Sequence, residues 1–254
     1  MILHRTAHPY SSEGGGPAAL AGVSVALLDG ERGIFSAEQV REAINGDGPH
    51  SARSRLISIE NTTNSGTGKV WPLETIRAIA DVADEHGLKK HMDGARLMNA
   101  VVASDIPAKV FAERMDTAWI DLSKGLGCPV GGVLAGSKED MRWALRYKHL
   151  YGGAMRQAGI IAAAGVYALQ HNVERMADDH ANAKLLAQGL SEIPGIAIDV
   201  AAIETNIIHF DISGTGLGGG AFNDAITNKG ARMGGYGSAT RVRAITHLDI
   251  SRAD

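Results

Sequence analysis

Hydrophobic and polar positions along the chain switch between a period of two and a period near 3.6. Residues 55–59 alternate as a half-buried strand does, and residues 61–69, rich in Thr, Asn, Ser and Gly, read as a loop. Pro72 suits a first helical turn. Leu73, Ile76, Ile79, Ala80 and Ala83 then fall on one helical face, and Gly87 closes the helix. Upstream, Gly30 and Gly33 mark a turn. Ser36 and Gln39 form a capping-box pattern ahead of Val40, Ala43 and Ile44, which predicts a short helix. Residues 88–92 read as a strand, followed by a helical stretch after Gly94 and a strand over 117–122. A glycine-rich turn over 125–132, a short strand over 133–135 and a helix over 138–149 come next. From Arg156 the pattern predicts one long helical run, Ala-rich at first and more polar over 171–190, stopped by Pro194 and Gly195. Residues 196–200 and 206–212 read as strands, 221–228 as a helix and 241–245 as a last strand.

Strand and helix alternate through most of this order. That predicts an α/β fold: a large domain with a mainly parallel sheet covered on both faces, and a smaller α/β C-terminal domain. The boundary is set in the long helical run, giving residues 1–172 and 173–254. Composition narrows the class. With 254 residues, 44% hydrophobic and 21% charged, the chain can bury a sizeable core without staples. A formal net charge of −3 argues against nucleic acid as a partner. Cys128 is the single cysteine, so no intrachain disulfide can form, which suits a reducing compartment. No run approaches the ~20 apolar residues of a membrane span, and residues 1–13 lack the apolar core of a secretory signal. A cytoplasmic location is expected.

Two local patterns sit at predicted strand ends, where open parallel sheets bind ligands. One is Asp93-Gly94-Ala95-Arg96; the other is Ser123-Lys124-Gly125-Leu126-Gly127. Pyridoxal 5′-phosphate (PLP) needs a lysine able to form a Schiff base and a carboxylate at its pyridine nitrogen. Asp93 and Lys124 supply those two groups, but spacing alone does not identify the cofactor. A lone lysine before a glycine is more often a solvated turn residue. Gly214-Thr215-Gly216-Leu217-Gly218-Gly219 fits a dinucleotide fingerprint. No Asp or Glu occurs from Ala225 to Leu248, though, so the required acidic residue is missing and a surface turn is the better reading.

The longer runs around these residues carry a resemblance. Residues 91–100 (HMDGARLMNA) and 122–127 (LSKGLG) closely resemble the aspartate and lysine motifs of the PLP-dependent threonine aldolases. Ile59-Glu60-Asn61-Thr62, residues 152–157 (GGAMRQ) and residues 246–252 (THLDISR) match further motifs in the same order. The resemblance runs from His8 to Asp254 and implies an aspartate-aminotransferase-like fold. It also implies retro-aldol cleavage of L-threonine or L-allo-threonine to glycine and an aldehyde. Its implied roles fall residue by residue. Lys124 holds PLP, and Asp93 pairs with the pyridinium nitrogen. Arg96 bonds the ring-hydroxyl side and helps to position the substrate. His8 stacks over the ring near the substrate hydroxyl, as candidate base. Arg243 grips the substrate carboxylate, with Arg241, on the other side of Val242, as the alternative. Arg156 reaches the cofactor phosphate across a subunit boundary, and Glu13 is a further candidate near His8. A homodimer or homotetramer with its site at the subunit interface is implied, with a small amino acid as substrate. His91 and His247 are expected to support backbone or packing, Cys128 to pack, and His171 and His180 to lie on an exposed helix face; none shows metal-ligand spacing.

The chain departs from the family pattern in two ways. Thr63 stands where the family usually has a histidine near the substrate side chain, which implies an altered side-chain preference. The family also has a longer stretch before His8, with a Gly-Thr loop that cradles the phosphate through helix N-terminal N–H groups, and a final helix after residues 246–252. Both ends are therefore expected to be cut. Another PLP-dependent lyase of the same fold and an inactive fragment stay open as alternative readings.

Overall fold

The computed structural model describes residues 1–235 and 238–254. Among the described residues, nine strands lie in two sheets. The first takes β1 (Ile2–His4), β2 (Ala26–Leu28), β3 (Leu56–Glu60), β4 (Lys89–Gly94), β5 (Thr117–Asp121) and β6 (Gly132–Gly136) in the order β2-β1-β3-β4-β5-β6. Neighbours are parallel except β5 and β6, which pair antiparallel. The second is antiparallel, with β7 (Ile207–Asp211), β8 (Gly234–Gly235) and β9 (Arg241–Ile245) in the order β7-β9-β8. The expected α/β fold with a mainly parallel sheet is thus present.

Among the described residues, ten α-helices connect these strands. They are α1 (His8–Ser11), α2 (Gly16–Ala21), α3 (Ala37–Ala43), α4 (Leu73–Glu85) and α5 (Leu97–Ser104), then α6 (Ala108–Ala112), α7 (Lys138–Leu150), α8 (Gly159–His171), α9 (Met176–Ser191) and α10 (Gly219–Thr227). The α3 capping box forms both ways: Ser36 Oγ accepts from Gln39 N at 3.2 Å, and Gln39 Oε1 accepts from Ser36 N at 2.8 Å. Helix α4 buries Ile76, Ile79, Ala80 and Ala83 as its spacing predicts, and Gly87 follows at φ +63°. That apolar face packs on Ile57, Ile59 and Met92 of the central strands, with Phe35 and Trp71 edge-to-face at 5.0 Å beside them.

One element was not foreseen, and three expectations change. The chain start carries β1, whose Ile2 and Leu3 are fully buried; a three-residue strand buried on both faces shows no alternation. The helical run after Arg156 is two helices. Asn172 ends α8, and its side-chain amide donates to Leu126 O at 2.8 Å. The break lets α9 lay Ala183, Ala187 and Leu190 on the second sheet, while Ala168 of α8 packs with Leu122, Leu126 and Cys128. Residues 196–200 form only one bridge, Ala197 to Asp211. The Asp199 carboxylate accepts from Ala201 N at 3.0 Å and turns the chain into a 3₁₀ helix, Val200–Ala202. Finally, the first sheet is not covered throughout, because β6 is exposed along its whole length. No described helix is long and apolar enough to cross a membrane.

Candidate active site

The carboxyl ends of β1, β3, β4 and β5 converge, and the chemistry-bearing residues follow from there. Two residues past β1 the chain turns, with His4 Nδ1 bonded to Thr6 Oγ1 at 2.8 Å, and places His8 at the start of α1. Glu60 is the last residue of β3 and stands in register with Asp93 on β4. Asn61 N donates to Asp93 O at 2.8 Å, which carries the pairing one step beyond the strand end. Trp71, 1% exposed, donates its indole N–H to Glu60 O at 2.9 Å and fixes that backbone.

His8, Glu60 and Asp93 each bring a donor atom to within 4.8 Å of the others. Glu60 accepts three hydrogen bonds, from His8 Nδ1 at 2.6 Å, His8 N at 3.0 Å and Asn64 N at 2.8 Å. Its oxygens are therefore engaged by protein donors, which argues against a cation site here although the donor types would suit one. The Glu60 hydrogen bond raises the His8 pKa above its ordinary value against the opposing effect of burial. Burial pushes the Glu60 carboxyl up, but the His8 hydrogen bond and charge and the N–H groups of Asn64 and His8 together carry it below its ordinary value. Asp93 has weaker support, from the Ala95 N–H and the charges of His8 and Lys124, which does not offset burial. It is 3% exposed and accepts from Ala95 N at 3.1 Å. Burial first, and the Glu60 charge second, push its pKa up to about 6.

Lys124 follows β5 in the glycine-rich turn, where Gly127 has φ +74°. Its Nζ lies 2.9 Å from Asp121 Oδ2 and 5.5 Å from the centre of the Trp119 ring. Lys124, Arg96, Asn99, Asn206, His247 and Leu248 are among the residues around a cavity of about 410 Å³. Arg96 is the residue just before α5. Arg243, on β9, donates from Nη1 to Asn64 Oδ1 at 2.9 Å, so a continuous chain of contacts runs His8–Glu60–Asn64–Arg243. Arg241, two residues away on the same strand, donates to Ser65 O at 2.9 Å and to His209 Nδ1 at 2.6 Å. Burial and the charges of Arg241 and Arg243 lower the His209 pKa to about 3, so its ring is neutral and accepts.

The structure therefore gathers His8, Asp93, Arg96, Lys124 and Arg243 at one end of the sheet. It does not bring Thr63, Glu13 or Arg156 into that group. Thr63 is 3% exposed, and its hydroxyl donates to Arg32 O at 2.8 Å, turned onto the neighbouring loop. Glu13 is exposed between α1 and α2, and Arg156 is exposed in the turn before α8. His180 is not on an exposed face. It is buried, its Nε2 lies 3.2 Å from Asn99 Nδ2, and burial with the Lys184 charge lowers its pKa to about 4. Sequence reading gave Glu60 and Asn64 no role. The available signals for Glu60 were its place in the matched run Ile59-Glu60-Asn61-Thr62 and at a strand end next to the strand that carries Asp93.

The beta-eliminating lyase family model matches residues 1–213. The chain belongs to that family, among its threonine aldolases. It is 38% identical over 260 residues to the low specificity L-threonine aldolase of Escherichia coli K12, covering 99% of this chain and 72% of that protein. It is 35% identical over 259 residues to low-specificity L-threonine aldolase 1 of Arabidopsis thaliana, covering 100% and 72%. With a second Arabidopsis relative included, the chain spans 61% to 72% of the lengths of these relatives. The fold matches the threonine aldolase structure from Leishmania major with a TM-score of 0.82 at 20% identity, over 99% of this chain and 73% of that one. For a threonine aldolase, the donor set is a fit. A buried carboxylate with raised pKa suits a cationic ring nitrogen, and a lysine amine shares a cavity with an arginine.

Proposed function

We propose that this chain is a PLP-dependent aldolase that cleaves L-threonine and L-allo-threonine to glycine and acetaldehyde by breaking the Cα–Cβ bond. The observation that carries the reading is Asp93: a carboxylate 3% exposed, with its pKa pushed up to about 6, beside His8 and within the field of Lys124. Such a group is costly to keep ionised until a cation meets it. When bound, PLP supplies an electron sink for the pair left at Cα as the bond breaks. Lys124 would hold the cofactor, Asp93 its protonated ring nitrogen, Arg96 its ring-hydroxyl side and Arg156 its phosphate from a neighbouring subunit. Arg243 would take the substrate carboxylate, for which a planar guanidinium is suited. His8 has Nδ1 engaged by Glu60, which leaves Nε2 to accept the β-hydroxyl proton. Glu13 would lie at the edge of the site. Thr63 would brace its loop through Arg32 O and leave side-chain preference unaffected.

A second reading, a β-eliminating lyase of the same fold, draws on the description of the family whose model matches. Ammonia release from substrate would favour it; glycine and acetaldehyde without ammonia favour the aldolase. We further propose a homodimer or homotetramer in the cytoplasm. Large apolar side chains on α7 and α8 support an assembly, among them Trp143 at 48%, Leu150 at 68% and Ile160 at 85% exposure. The direct test mixes purified chain with PLP and records the visible spectrum and acetaldehyde release from threonine. Lys124→Ala is expected to lose the borohydride-reducible chromophore, and a variant that keeps it refutes the lysine assignment.

A further inference from the structure

Glu60 has more partners than a bystander in the core needs. Its carboxylate side chain is 7% exposed. One oxygen accepts from both Nδ1 and N of His8, and the other from Asn64 N. The Asn64 side chain accepts from Arg243, and the Trp71 indole pins the Glu60 carbonyl. We propose that Glu60 is a positioning residue: it fixes the His8 ring by its Nδ1 and, through Asn64, sets the register of Arg243. The roles of His8 and Arg243 in this inference rest on the aldolase reading; the link between Glu60 and His8 does not.

The charges around the group give the inference a signature. His8 faces Glu60 on β3, Asp93 on β4 and Arg96 ahead of α5; Asp93 in turn faces Glu60, His8 and Lys124. The Glu60 charge raises the pKa of both His8 and Asp93. Removing it without changing shape lowers both. A more readily ionised Asp93 holds a cationic ring nitrogen at least as well as before, while His8 becomes neutral at lower pH. A merely structural role predicts something else: cofactor affinity and turnover fall together, and the pH profile stays in place.

The test is Glu60→Gln in the full chain with PLP. The acid limb of kcat/KM for threonine is expected to move to lower pH by on the order of one unit, with PLP affinity kept or increased. An unmoved limb, or a loss of PLP affinity in step with turnover, overturns the proposal. Asn64→Ala isolates the other arm and is expected to raise KM for threonine by about tenfold or more at unchanged limb position; an unchanged KM removes Arg243 from the proposal. Should Glu60→Gln fail to fold, Glu60→Asp keeps the charge but shortens the reach, and a partial shift of the limb is expected where no shift overturns. Should the wild-type chain release no aldehyde, the aldolase reading fails. The His8 titration followed by proton NMR in wild type and variant still decides the link, with a raised value that falls in Glu60→Gln supporting it and an equal value in both refuting it.

Discussion

Replacing Asp93 with asparagine should make the cofactor-free chain more stable at neutral pH while it weakens PLP binding. Burial and the neighbouring Glu60 charge lift the Asp93 pKa from 3.8 to about 6. Each unit corresponds to 1.36 kcal/mol, so two units put ~3 kcal/mol on ionising Asp93 in the folded state, as an order of magnitude. The sign follows from linkage. The folded-state value is raised, so the protonated form's contribution is fully present below the unfolded value near 3.8 and is lost as pH rises through about 6. Asparagine never ionises, and its side-chain oxygen can still accept from Ala95 N, the one bond the aspartate makes here. Asp93→Asn should therefore match wild type near pH 4 and exceed it by up to ~3 kcal/mol above pH 7, which is a rise in Tm on the order of 5–10 °C. Denaturation of both apo chains at the two pH values measures this, and a PLP titration measures the opposing loss of cofactor affinity. Equal stability at both pH values, or undiminished PLP affinity in the variant, refutes the reasoning that Asp93 is a strained carboxylate held for a cation.

Two further substitutions test the loop that carries Asn64. Thr63→Val removes the hydroxyl bond to Arg32 O and should cost ~1 kcal/mol in denaturant unfolding, with the preference between threonine and phenylserine unchanged; a switch in that preference would place Thr63 at the substrate. Gly68 has φ +65°, and an added Cβ would sit 2.1 Å from Thr205 Oγ1, so Gly68→Ala should lose ~3 kcal/mol from left-handed strain and overpacking together, read as a lower Tm.

How much of this was legible beforehand depends on how local the signal is. Helix α4, the α3 cap and strand β9 were readable because each is defined by neighbours a few residues apart. Asp93 and Lys124 were readable as chemical types at strand ends, and the motif runs around them supplied the identity that spacing lacked. Glu60 was not, because its partner His8 lies 52 residues away in sequence and the meeting depends on β1 and β3 being neighbours in the sheet. His180 was misread for a related reason. Helix α9 packs one side on the second sheet and another toward Asn99 of α5, so it has no single polar face, and a histidine on it gives no hint of burial. Residues 196–200 were apolar enough for a strand, but Asp199 turned its side chain back on the backbone, a competition that strand propensity ignores.

The site's charge arrangement explains why these elements are joined as they are. The parallel strands contribute carboxylates: Glu60, hydrogen-bonded to His8, and Asp93, whose pKa is pushed up to about 6. The start of α5, the β5 turn and the second sheet contribute cations, namely Arg96, Lys124, Arg241 and Arg243. A ligand with a cationic ring nitrogen at one end and anionic groups elsewhere satisfies both sets at once, whereas a simple anion leaves Asp93 strained and a simple cation brings the arginines no anion. The Arg32 guanidinium ties this geometry together from outside the site, bonding Glu204 at 3.1 Å and Gly66 O at 3.0 Å. The loop bearing Asn64 is thereby fastened to the C-terminal segment that leads into β7. Because Arg243 reaches Glu60 through that loop, the loop helps the second sheet hold its arginines in register with the strand-end carboxylates. Loosening it should be felt first in substrate binding and not in the Asp93 pocket.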